Sequence, residues 1–154
     1  MLTLAQLTIL KNTINNTPAL LTMWNNKEVN RIAEYGNSTY SPTFYVWKTR
    51  MSSTEVKSCT VWTELLATTD ACRSIYQFLI ADGVINPSDS NIRNAFSAIF
   101  GTSTSLDQLS AAAKRPVRVI EKLYATGTGT LQDPGLLDFE GTISGADIFE
   151  AMNN

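Results

Sequence analysis

The chain has 154 residues, enough for one domain with a substantial buried core. Hydrophobic residues make up 44% and charged residues 17%, and the net charge of −2 argues against bulk nucleic-acid binding as the main function. Histidine is absent, which removes the commonest general base and the commonest metal ligand. Cys59 and Cys72 are isolated from other thiols, so we expect buried hydrophobic side chains and neither a metal nor a cofactor site.

The N-terminal third predicts three short helices in quick succession. Thr3 and Gln6 have the spacing of a capping box, and leucines follow at helical spacing. Pro18 suits the first position of a second helix. Residues 27–35 form the third, closed by Gly36 in the left-handed conformation. The first segment lacks a basic leader region and its apolar stretch is short, so we predict neither a signal peptide nor a membrane span.

The middle of the chain predicts one extended segment followed by further short helices. Residues 43–48 are aromatic and β-branched, which favours an extended conformation packed on helices. A second capping box opens a helix at 52–59. We expect Trp62 and Leu66 to be buried beside it, and Ile75 to belong to the inward stripe of the next helix. One more helix follows and ends at residue 100.

The segment from Ser105 to residue 126 carries an unusual row of basic side chains. Ser105 begins a third capping-box pattern, and Pro116 predicts a kink or a restart of the helix. On one helix face, Lys114, Arg118 and Lys122 would stand at i, i+4 and i+8, with like charges repelling each other.

The C-terminal segment is acidic. Residues 131–154 contain five Asp or Glu residues and no Lys or Arg. Residues 136–139 and 142–143 predict a small β-hairpin, and 144–147 predicts the start of a short terminal helix. The predicted fold is all-α: a single helical bundle over 1–126 and an extended acidic arm over 127–154.

Three interpretations of the basic row remain open. It is a solvated helix face, or it is neutralised by the acidic tail of a neighbouring copy, or it contacts phosphate. The candidate interface residues are Lys114, Arg115, Arg118, Lys122, Asp138, Phe139, Glu140, Ile148 and Phe149.

No pattern in the chain predicts catalysis. The glycines of TGTGT at 126–130 follow a helix, whereas a phosphate-binding loop precedes one, so we interpret them as a helix stop and a hinge. The carboxylates are scattered, and no pair is marked by its spacing for acid–base chemistry. We therefore predict that the protein is not an enzyme.

Several short strings, in this order and spacing, resemble a family of small virion proteins of tailed bacteriophages. They are FYVWKT at 44–49, VWT at 61–63, NIRNA at 91–95, KRP at 114–116, EKLYATGTGT at 121–130 and FEGTIS at 139–144. The resemblance covers most of the chain, although each string alone is unspecific.

This resemblance implies a structural role as a head–tail connector, or adaptor, at the virion neck. It implies a ring-shaped homo-oligomer, with a dodecamer as the expected size, that docks beneath the portal protein and contacts tail or neck proteins. Non-specific contact with packaged DNA is compatible with it, and assembly would take place in the host cytoplasm without a membrane. The alternatives are another head-completion, tail-terminator or decoration protein, or a DNA-binding packaging accessory.

Overall fold

A computed structural model describes residues 2–154 and contains 57% helix and 11% strand, so the mainly-α prediction is confirmed. The helices are α1 (Leu4–Asn16), α2 (Pro18–Asn25), α3 (Val29–Asn37), α4 (Ser53–Ser58), α5 (Trp62–Ala67), α6 (Asp70–Ile80), α7 (Ser90–Phe100), α8 (Thr104–Ala112), α9 (Val119–Leu123) and α10 (Gly145–Asn153). The strands are β1 (Tyr45–Trp47), β2 (Met51–Ser52), β3 (Val84–Ile85), β4 (Lys114–Pro116), β5 (Ala125–Thr126) and β6 (Leu136–Leu137).

The chain forms two compact units. The first contains the described residues of Met1–Val46 together with Pro116–Asn154, and the second is Trp47–Arg115. These boundaries differ from the predicted division at residue 126. The chain passes from the first unit to the second within β1 and returns within β4.

The core of the first unit lies between α1, α2, α3, α9 and α10. Ile14, Ile120 and Ile148 are among its fully buried side chains. The predicted helix starts are confirmed at both ends of this unit. Thr3 forms a capping box at α1, and Ser144 forms one at α10.

The predicted C-terminal arm is wrong. Helix α10 packs against α1 and α3, and Ile148 and Ala151 are 0% exposed. The Asn37 side chain pairs with the backbone of Ile143, donating to its carbonyl at 2.8 Å and accepting from its N–H at 2.9 Å. Because burial of these apolar groups stabilises the unit, the segment is held in the core and does not extend from it.

The predicted hairpin of 136–139 with 142–143 is also wrong. β6 pairs instead with β5, joining Ala125 to Leu137 in antiparallel register. The glycines at 127 and 129 thus belong to a connection between two paired strands and not to a hinge. Gly129 and Gly135 both approach the ring of Phe44 so closely that a Cβ atom at either position would lie within 2.8 Å of it.

The second unit is organised around Tyr76 of α6. Its ring makes edge-to-face contacts with Phe96 and Phe100, at centroid distances of 6.3 and 6.0 Å. Its buried hydroxyl lies 2.9 Å from that of Thr60, which satisfies both groups. Strand β2 pairs with β3, and Ser52 caps α4 as predicted.

Three local predictions need correction. Gly36 lies inside α3 and not at a left-handed cap, and a Cβ there would meet Ile143 Cδ1 at 2.9 Å. Ser105 lies inside α8, whose N-cap is Ser103. Cys59 and Cys72 are free but only half-buried. Hydrogen-bond partners from other elements decide such boundaries, and a local pattern does not contain them.

The close approach at Gly129 makes a testable prediction. Its φ is +69°, and a Cβ would lie 2.1 Å from Phe44 Cδ2. Gly129→Ala should lower the free energy of unfolding by about 3 kcal/mol, combining left-handed strain with overpacking. Gly83→Ala is the matched control, because φ is +77° and no atom lies within 4 Å; it should cost about 1 kcal/mol. Equal losses in urea unfolding would contradict this account.

Candidate functional site

The basic row predicted on one helix face does not exist. Helix α8 ends at Ala112, Lys114 and Arg115 lie in β4, and Arg118 is the N-cap of α9. Pro116 lacks an N–H and disfavours helical geometry at the residue before it, which is the physical reason for the break. Only the predicted restart of the helix is confirmed. Lys114 and Arg115 belong to the second unit, and Arg118 and Lys122 to the first.

Arg118 is tied to a buried carboxylate. Glu121 is 0% exposed and accepts hydrogen bonds from Arg118 N–H at 3.0 Å and from Arg118 Nη1 at 3.3 Å. It also accepts from Gly141 N–H at 3.1 Å, which links α9 to the C-terminal segment. A buried charge requires such partners. The structure therefore gives Arg118 a role in stabilising the first unit.

Asp138 and Phe139 hold the same segment to α1. Gln6 Nε2 donates to Asp138 Oδ2 at 3.1 Å, and the Tyr124 hydroxyl donates to the Gln6 carbonyl at 2.9 Å. Phe139 packs on Tyr124 at a centroid distance of 5.6 Å. Burial raises the pKa of Tyr124 to about 12, so the hydroxyl stays a donor at neutral pH. Half-buried Phe139 thus has an established partner within its own chain.

The remaining candidate residues differ in what they can contact. Glu140 is exposed next to the Glu121-bound Gly141. Ile148 is 0% exposed, so its assignment as an interface residue is wrong. Phe149 is 61% exposed, with one side of its ring near Trp24 at a centroid distance of 6.3 Å. Phe149 is therefore available to a partner, whereas Ile148 fills the core.

Two of the basic candidate residues, Lys114 and Lys122, lie over aromatic rings, and so does Arg93. Lys114 Nζ lies 5.1 Å from the centroid of Trp47, and Arg93 Cζ lies 4.6 Å from it. In the first unit, Lys122 Nζ lies 4.2 Å from the centroid of the Phe44 ring. These distances are typical of cation–π contacts. They show how half-buried cations are accommodated beside apolar cores.

Sequence reasoning missed an exposed apolar surface in the second unit. We define the α5–α6 apolar surface as Trp62, Leu66, Ala71, Ile75 and Phe78. The four large side chains are 52%, 70%, 47% and 80% exposed respectively, and Ala71 is also exposed.

The spacing of these residues explains why they share helix faces. Trp62 and Leu66 are one turn apart on α5, and Ala71, Ile75 and Phe78 follow i, i+4, i+7 along α6. The predicted burial of Trp62, Leu66 and Ile75 is wrong, because Leu65 on α5 and Tyr76 on α6 are the side chains that enter the core. The available signal was an apolar stripe on α6 wider than one helix face can bury.

Each unit also contains a cavity. The one in the second unit has a volume of about 360 Å³ and lies between α7, α8 and Trp47, with Arg93 and Asp107 in its wall. The one in the first unit has a volume of about 430 Å³ and lies between α1, α3 and α9. Both are lined mainly by apolar side chains, which is typical of places where apolar groups bind.

Among residues 2–154, no group of three or more Cys, Asp or Glu side chains could hold a metal ion. No described helix is long and apolar enough to cross a membrane. The carboxylates of Glu55 and Glu64, in the second unit, accept hydrogen bonds from backbone N–H groups at helix starts, those of Ser52 and Ser105 respectively. Both carboxylates therefore stabilise the starts of helices in the second unit.

Comparison with known proteins adds no family. The chain matches no protein-family model, no curated protein and no solved structure.

Replacing the buried carboxylate tests its structural role. In Glu121→Gln the amide would present an NH₂ group to a backbone N–H that now donates to an oxygen. We expect a loss of about 3 kcal/mol in the free energy of unfolding, as for a broken buried ion pair. The exposed Glu34→Gln on α3 is the control and should change it by less than about 0.5 kcal/mol. A similar small change for both variants would refute the role.

Glu64 gives the second unit a pH dependence. Hydrogen bonds from the Ser105 hydroxyl at 2.6 Å and N–H at 2.8 Å lower the pKa of Glu64 below its ordinary value of 4.5. A carboxyl whose pKa is lower in the folded chain stabilises it fully above the unfolded-state pKa. This contribution is lost as the pH falls through the folded-state pKa.

Stability should therefore fall on acidification below about pH 4.5, and less steeply in Glu64→Gln than in the unchanged chain. Urea unfolding at about pH 7 and about pH 4 measures the difference. The exposed Asp82→Asn serves as the control. An identical acid response in the Glu64→Gln variant and the unchanged chain would exclude this linkage.

Proposed function

We propose that the protein is a structural assembly component whose function is to dock onto other proteins. The observation that carries the proposal is the α5–α6 apolar surface, where Phe78 is 80% and Leu66 70% exposed. Large exposed apolar side chains grouped on helix faces are typical of protein–protein contact sites. Aromatic residues such as Trp62 and Phe78 contribute strongly when a partner removes them from water.

The resemblance to tailed-phage virion proteins supports a more specific role. We propose a head–tail connector that forms a ring beneath the portal protein and joins the capsid to the tail. The mainly helical fold and the absence of a metal-ligand cluster among residues 2–154 agree with this role and also with other assembly roles. The proposed location is the head–tail junction of the virion.

The copy number in purified particles distinguishes the connector from its alternatives. A ring contributes about a dozen copies per particle, whereas a decoration protein covers the shell with copies on the order of hundreds. Direct imaging of particles with the chain labelled gives both the number and the position. Detection of the chain over the whole shell, or its absence from particles, would contradict the connector proposal.

The proposal also makes a prediction about one side chain. Phe78→Asp should leave the thermal unfolding of the isolated chain nearly unchanged, because the residue is exposed. It should reduce incorporation into particles by about tenfold or more, since a charge replaces an apolar contact. Quantifying the chain in purified particles measures this effect.

Gln77→Asp is the matched control, since Gln77 is the exposed polar neighbour of Phe78 on α6 and the variant adds the same charge. It should be incorporated normally. Incorporation of Phe78→Asp at the unchanged level would refute a docking role for the α5–α6 apolar surface.

A further inference from the structure

The first unit contains a mainly apolar cavity, which we call the α1–α3–α9 cavity. Its volume is about 430 Å³. Buried side chains of all three helices, including Leu10, Ile14, Ile32 and Ile120, contribute to its wall. Thr13 and Tyr35, which are half-buried and exposed respectively, also line it, so the wall reaches the protein surface. An aromatic ring fits a space of this size and chemistry.

The charge in the cavity wall has one sign. Lys122 lines the cavity, and no Asp or Glu does. Its ammonium lies over the Phe44 ring, 4.2 Å from the centroid, and the side chain is half-buried. A group that binds in the cavity with a carboxylate beside it would bring a charge opposite to that of half-buried Lys122, and partly dry surroundings strengthen such a contact.

Helix α10 presents a group of this kind on the surface of the same unit. Phe149 is 61% exposed, and the next residue, Glu150, is exposed as well. Asp147 is the other charged residue of α10, so the helix is purely acidic. None of these residues lines the α1–α3–α9 cavity of their own chain. The exposed ring and the cavity therefore occupy different positions on one molecule.

We propose that Phe149 of one copy inserts into the α1–α3–α9 cavity of a second copy, with Glu150 placed against Lys122. The contact joins two different surfaces of the same chain, so it is heterologous and repeats from copy to copy. Such contacts close into rings when the rotation permits and otherwise extend as filaments. The inference rests on the proposed assembly function and names its self-contact.

Self-association of the purified full chain, measured by sedimentation equilibrium, tests this contact. Phe149→Ser should weaken it by about tenfold or more, because burying an aromatic ring supplies that much binding. Thr13→Trp should weaken it too, because the larger side chain fills the cavity and leaves Phe149 and Lys122 unchanged. Leu4→Ser is the control for loss of an exposed apolar side chain, since Leu4 is 67% exposed and lies outside the cavity.

A charge exchange separates this contact from general loss of stability. Lys122→Glu and Glu150→Lys should each weaken association, and the double variant should recover most of it, because the pair is restored with reversed sign. Glu150→Lys changes an exposed residue and should fold normally, so it remains informative even if Lys122→Glu unfolds. In that case, unchanged association of Glu150→Lys would overturn the proposed ion pair.

The inference is overturned if the chain stays monomeric at all accessible concentrations, or if Phe149→Ser associates like the unchanged chain. It is also overturned if both charge variants fold and the double variant does not recover. Particle incorporation separates the two proposals. Chains that associate through Phe149 but are absent from particles would refute the phage role alone. If the chain is present in particles but its self-association is unchanged by Phe149→Ser, this contact alone is refuted.

Discussion

The first unit depends on a carboxylate that has no access to water. Glu121 is 0% exposed and accepts hydrogen bonds from Arg118, at the start of α9, and from Gly141, in the C-terminal segment. A buried charge is tolerated only with such partners, so the two segments are constrained together. Next to Gly141, the backbone of Ile143 pairs with the Asn37 side chain, which extends the constraint to α3. The acidic end of the chain is thereby part of a core.

The same network explains why several candidate interface residues make their contacts within the chain. Arg118 stabilises Glu121, Asp138 bonds to Gln6, and Ile148 fills the core, so these candidate interface residues are engaged within the chain. The charges left at the surface of this unit have both signs, and exposed Lys27 and Arg31 are among the basic ones. Lys122 lies beside an apolar cavity. In the second unit the exposed groups of interest are the apolar side chains of α5 and α6.

Sequence patterns predicted the helix starts well, because a capping box is complete within four residues. Thr3, Ser52 and Ser144 cap their helices as expected. Ser105 shows where the local pattern fails. It fits the same motif, yet its hydroxyl donates to Glu64, a residue 41 positions away, and Ser103 is the N-cap. The candidate interface was only partly predictable from the sequence. Phe149 is exposed and Ile148 is buried, but no feature of the neighbouring sequence distinguishes these two apolar residues.

The sequence by itself determined a mainly helical chain without histidine, broken at Pro116, with a C-terminal segment that carries acidic and no basic residues. These features follow from local sterics and composition, which act within a few residues. The tertiary structure alone decided that α10 joins the core, that Gly129 and Gly135 make room for Phe44, and that Phe78 faces water. Burial depends on which apolar faces pack together across long separations in the chain. The helical period of a sequence identifies an apolar face but does not indicate which element packs against it.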